Sequence, residues 1–134
     1  MNKSEDEPAI KELFLKRDTA WNAHDATAWS SFFAAGGHFT SWRGDGAQGR
    51  DNIRAFHERL FTGIYKASRN TTISTRITFH GADLAIAEND TKMTGALDPG
   101  GHPTPDQKYY PLVVLKKKNG KWEISIFHNV RDQT

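Results

Sequence analysis

Apolar residues along the first third of the chain recur at helical spacing. Ile10, Leu13, Phe14 and Trp21 fall on one side of a helix, and Arg17 sits at the centre of that stripe. A guanidinium there either snorkels to solvent or points into a wet pocket that the helix encloses. Pro8 suits the first turn of this helix, with Ser4 and Glu7 spaced as a capping box. The run Ala20-Trp21-Asn22-Ala23-His24-Asp25 ends the helix and turns the chain, and Asp25 is placed to cap a second helix over residues 26–35. Trp29, Phe32 and Phe33 mark its buried side, and Gly36-Gly37 suit a left-handed C-cap. A third helix is expected from about Arg50 to Tyr65, with Ile53, Phe56, Leu60 and Ile64 as its inner stripe. His57 falls inside that stripe, either as a hydrogen-bonded structural residue or as a catalytic one.

Elsewhere the pattern alternates. His38 to Trp42 reads as a strand, followed by a loop over residues 43–49 whose glycines lack the spacing of a dinucleotide site. From Asn70 the period is two, and the segments Thr71–His80 and Asp83–Gly95 meet at Gly81-Ala82 as a hairpin. A two-residue loop sets Phe79 against Leu84, Ile77 against Ile86 and Thr75 against Glu88, so that Glu88 projects from a core-facing row. A slip of one residue sends Glu88 to solvent instead.

Residues 97–105, with three prolines and two glycines, form a loop. Asn119-Gly120 then joins two strands and sets Trp122 opposite Lys117, Ile124 opposite Leu115, Ile126 opposite Val113 and His128 opposite Pro111. One face holds Trp122, Ile124, Ile126 and His128 with Tyr109. The other carries Phe127, Leu112, Val114 and Tyr110, too apolar for a free surface, and is expected to form a homodimer interface. Three helices against one face of a curved, mostly antiparallel sheet make an α+β fold, a cone-shaped barrel with aromatics at its base and polar tips at its mouth.

Composition narrows the functions. The 134 residues form a single domain, and the formal charge of +2 with dispersed basic residues gives no nucleic-acid footprint. Lys116-Lys117-Lys118 reads as a solvated strand end. Without cysteine there is neither disulfide nor thiol chemistry. The polar start shows no signal peptide and no membrane span is present, so a cytoplasmic location is expected.

Trp21-Asn22-Ala23-His24-Asp25, the strand at Phe39, the helix start Gly49-Arg50-Asp51-Asn52-Ile53 and the final strand from Gly120 to Asn129 resemble the nuclear transport factor 2-like superfamily. Within it the chain is similar to the SnoaL-like and SgcJ/EcaC-type proteins over nearly its whole length. The superfamily includes ketosteroid isomerase, cyclases, dehydratases and non-catalytic members. The isomerase's helix tyrosine, late-strand acid and first-strand aspartate would fall at Arg17, near Pro111-Leu112 and at Ser41, none of which keeps the required group.

The remaining polar set is Arg17, His57, Glu88, Tyr109 and His128, in a pocket walled by Trp21, Phe39, Ser41 and Phe56 with Ile126. His57 or His128 would act as base, and Arg17 would stabilise negative charge on a carbonyl oxygen during cyclisation, dehydration or isomerisation. The histidines and acids lack metal-ligand spacing, and no serine stands in a nucleophile elbow, so neither metal nor cofactor is expected. Two classes stay open. One is a pocket for a small apolar or carbonyl-bearing ligand; the other is a non-catalytic dimerisation module with a vestigial pocket.

Overall fold

The computed structural model describes residues 3–132 and arranges three helices on one open, curved sheet of seven strands. Helix α1 (Lys3–Asn22) takes Pro8 inside it; the side chain of Ser4, and with it the expected capping box, lies outside the described residues. Ile10, Leu13, Phe14 and Trp21 are buried as the 3.6-residue period requires. Beyond Asn22 the chain turns at His24, which takes a positive φ of 53°, and Asp25 then accepts the Ala28 amide at 3.0 Å to cap α2 (Ala26–Ser30). Helix α3 spans Arg50–Thr62 and buries Ile53, His57 and Phe61.

Helix α2 is half the expected length. Phe33 to Gly37 belong instead to β1 (Phe33–Thr40), which pairs with β2 (Gly46–Gln48) on one side and with β7 (Lys121–His128) on the other. Gly36-Gly37 is therefore no left-handed cap. It lies in an irregularity of the parallel β1–β7 ladder, where a Cβ on Gly37 would stand 3.1 Å from the Ile124 carbonyl oxygen. Gly46 is tighter still. A Cβ there would lie 1.9 Å from the Phe39 carbonyl oxygen, so only glycine lets β2 approach.

The long hairpin of β3 (Arg69–Phe79) and β4 (Leu84–Thr94) closes through three residues rather than two, with the His80 amide donating to the Leu84 carbonyl. Phe79 thus faces Ala85, Ile77 faces Ala87 and Thr75 faces Asn89. That one-residue shift turns Ala85, Ala87, Asn89 and Thr91 to the interior and Glu88 to solvent. Beyond it, β4 pairs with β5 (Gln107–Tyr109) and β6 (Leu112–Lys118), which Pro111 separates.

The Asn119-Gly120 turn sets Lys117 against Trp122 and Leu115 against Ile124, as the pattern predicts. A bulge then pairs Val114 with Ile126 and Val113 with Phe127. One extra residue, Ser125, reverses the alternation from there onward. Phe127 enters the core while Ile126 and His128 leave it, which corrects the expected membership of both faces. Lys117, expected in solvent, bonds the buried Asp6 at 2.9 Å. The Trp122 indole donates to the same oxygen at 3.0 Å, and together they hold the Asp6 carboxyl below its ordinary value.

Candidate functional site

The helices and the inner sheet face enclose a cavity of about 50 Å³. That is room for a few waters or the head of a small ligand. Its walls are aromatic. Trp21 and Phe56 come from the helices, Phe39 from β1 and Phe127 from β7, with Tyr109 and Ser41 at its edges. Among the described residues, no group of three or more histidine or acidic side chains is placed to hold a metal ion.

Arg17 lines this cavity at 2% exposure. Its Nη2 donates to Asn89 Oδ1 at 3.1 Å and to Thr72 Oγ1 at 3.4 Å, while Nη1 is buried with no hydrogen-bond partner. The guanidinium carbon stands 4.6 Å from the Phe14 ring centroid and 5.6 Å from that of Phe127. Among the described residues no carboxylate forms an ion pair with it. Burial lowers its pKa to about 10, the neighbouring Asp18 opposing the shift, so the cation persists at neutral pH.

Asp18 itself accepts from the Thr72 amide at 2.7 Å, from Thr72 Oγ1 at 3.0 Å and from Asn70 Nδ2 at 3.0 Å. Thr72 Oγ1 therefore gives its proton to Asp18 and offers a lone pair to Arg17. Asp18 thus favours the arginine's charge from nearby, but makes no direct ion pair with it.

His57 is fully buried and stacks on Trp29 with ring centroids 4.0 Å apart. Phe39 meets it edge-on at 4.6 Å, and Trp21, Phe56 and Phe61 complete a cage of rings. Its Nδ1 lies 2.8 Å from the Ile53 carbonyl oxygen, which can only accept, so Nδ1 carries the proton. Nε2 is left as a buried lone pair without a partner. Desolvation drives the pKa down to about 4, against the opposing pull of the Ile53 carbonyl, and the ring is neutral at pH 7.

Tyr109 is buried beside Tyr65, with its hydroxyl on Gln107 Oε1 at 2.5 Å, and desolvation first, then Tyr65, raises its pKa. Asn129 Oδ1, on the cavity wall, is a further buried acceptor without a partner.

Arg17, His57, Trp21, Phe39, Ser41, Phe56 and Tyr109 thus share one cavity, and three residues of the sequence-derived set do not join them. Glu88 is exposed on the outer sheet face, 3.7 Å from Arg76, because of the three-residue hairpin loop. Ile126 and His128 are turned outward by the bulge at Ser125, and His128 Nε2 meets Thr40 Oγ1 at 3.2 Å on the exposed side. Sequence reasoning missed Asn129, Tyr65 and Trp29 as cavity groups and Asn89 as the partner of Arg17. Asn89 sits on β4 and Asn129 just beyond β7, both in stretches whose alternation it had one residue out of step, and Trp29 it assigned to the core alone.

A family model described as the SnoaL-like domain matches residues 15–123. No curated protein matches the chain at a significant level. Among solved structures, a domain of unknown function with a cystatin-like fold from Nostoc punctiforme is 26% identical at a TM-score of 0.82, over 96% of this chain and 78% of its own. A hexachlorocyclohexane dehydrochlorinase, LinA type 2, is 14% identical at 0.88, over 98% and 88%. A ketosteroid isomerase-like protein from Erwinia carotovora atroseptica is 19% identical at 0.80, over 97% and 98%. At such identities the last two are likenesses of fold.

Proposed function

This chain belongs to the SnoaL-like domain family, and from that premise we propose that its cone binds a small, largely apolar molecule through a carbonyl or carboxylate oxygen on Arg17. One observation carries the reading: a buried, charged guanidinium whose residue lines the cavity is bonded only to neutral groups and keeps Nη1 without a partner. Uncompensated charge in an apolar site is costly, and an anionic or strongly polar ligand oxygen offsets it. Aromatic walls accept the rest of the molecule.

Proton transfer on that ligand is a second reading, favoured by the free Nε2 lone pair of His57 in the same cavity. Arg17 would stabilise an enolate while His57 takes the proton, in a cyclisation, dehydration or isomerisation. The fold neighbours named as a dehydrochlorinase and as ketosteroid isomerase-like lend this reading support. The low pKa of His57 makes it a weak base, so binding stands first and catalysis second.

We also infer self-association. Tyr110, Leu112, Ile126 and Val130 expose apolar surface on and beside the outer sheet face, which suits a second copy of the chain.

The test is Arg17→Met, which keeps the length and apolar packing of the side chain. It weakens phenylacetate binding by about 1.5–3 kcal/mol, the range of a charged hydrogen bond, while the protein stays folded. Unchanged affinity with a large loss of stability would make Arg17 structural.

A further inference from the structure

We propose that the ligand of this cavity is a hydroxylated carbonyl or carboxylate compound, whose hydroxyl donates to His57 Nε2 while its carbonyl-type oxygen accepts from Arg17 Nη1. The inference rests on the reading of Arg17 above and adds the group that the ligand must carry beside its oxygen. His57 decides the matter. Its Nδ1 proton is committed to the Ile53 carbonyl, so Nε2 can only accept. That atom is fully buried and unpartnered. The rings around it are poor donors, and the indole N–H of Trp21 is already spent on Ser68 Oγ at 2.9 Å. A buried acceptor with no donor is expensive, and a ligand that lacks a donor leaves that cost in place.

The three orphaned atoms of the cavity residues are complementary in kind. Arg17 Nη1 is a donor that asks for an acceptor; His57 Nε2 and Asn129 Oδ1 are acceptors that ask for a donor. An ionised carboxylate satisfies only the arginine, since it has no proton to give. The donor must then be a separate group. Arg17 and His57 line one small cavity, so the hydroxyl and the carbonyl-type oxygen stand close together on the ligand. The remainder of the molecule extends toward Trp42 and Arg43, which also line the cavity.

Matched pairs of probes test this by calorimetric titration: mandelate against phenylacetate, and 2-hydroxyacetophenone against acetophenone. In the wild-type protein the hydroxylated member of each pair binds about tenfold tighter, as expected for a buried acceptor that gains its donor. The advantage disappears in His57→Phe. Arg17→Met weakens mandelate and phenylacetate alike and leaves their ratio unchanged. The Nε2 resonance of His57 in ¹⁵N spectra of the wild type shifts upfield with the hydroxylated probes alone, a readout that needs no variant to fold. Equal affinities within the pairs, a preference that survives in His57→Phe, or no binding of any probe would overturn the inference. An intact hydroxyl preference with carboxylate affinity indifferent to Arg17→Met would support the His57 contact and remove the Arg17 anchor.

Discussion

Arg17 Nη2 rests on Asn89 Oδ1 at 3.1 Å, a bond between a buried cation and a neutral amide that brings no counter-charge. An ion pair here would have made the arginine a structural partner with little left to offer a ligand. Two acids of the neighbouring strand β4, Glu88 and Asp90, instead lie on the outer face beside Arg76 at 3.7 and 3.8 Å. Arg17→Met therefore removes a desolvated charge at the cost of leaving Asn89 Oδ1 short of a donor. These effects are of similar size, and the melting temperature is expected to move by no more than a few degrees in either direction.

His57 makes stability depend on acid. Its folded pKa, about 4, lies below the ordinary 6.5, so between these values the unfolded chain binds a proton that the folded chain does not. Stability falls as pH drops through that window, by about 3 kcal/mol in all, and the loss levels off near pH 4. Burial and the Ile53 carbonyl are the causes of the shift, and no charged neighbour is among them, so the sign stands. Denaturant unfolding from pH 7 to 4 should show a slope in the wild type that is shallower in His57→Phe. Parallel curves for the two proteins would mean that His57 is protonated in the folded state.

What the sequence made legible follows the helices. The stripe of Ile10, Leu13, Phe14, Arg17 and Trp21 needs only an unbroken 3.6-residue period, and Arg17 and His57 stand out as polar residues on such stripes. Strand residues were harder, because each depends on a parity that a single residue reverses. The loop before Leu84 has three residues instead of two, which exchanges Glu88 for Asn89 at the interior. The bulge at Ser125 exchanges Ile126 for Phe127. Gly36-Gly37 read as a helix stop because glycine suits both a cap and a bulge, and only the partner strand distinguishes them.

Glu88 gives a direct check of the hairpin register. As an exposed partner of Arg76, its replacement in Glu88→Gln should change stability by less than about 0.5 kcal/mol and leave ligand affinity untouched. A loss of several fold in binding would return Glu88 to the cavity.

The bulge makes a paired prediction at neighbouring positions. Phe127→Ala opens the core beside Trp29 and Phe39 and should cost about 3–5 kcal/mol. Ile126→Glu should leave the fold intact and, on the proposed association, shift the sedimentation coefficient toward that of a 15.1 kDa monomer. A wild-type protein that sediments as a monomer at high concentration would remove the dimer from the account.

The central claim is that Arg17 holds a ligand oxygen inside the cone, and a crystal structure of the protein with bound mandelate tests it most directly. The account predicts the carboxylate within about 3.2 Å of Arg17 Nη1, its hydroxyl at the same range from His57 Nε2, and its ring against the aromatic wall. A carboxylate bound elsewhere, with Arg17 Nη1 turned onto Asp18, would contradict it.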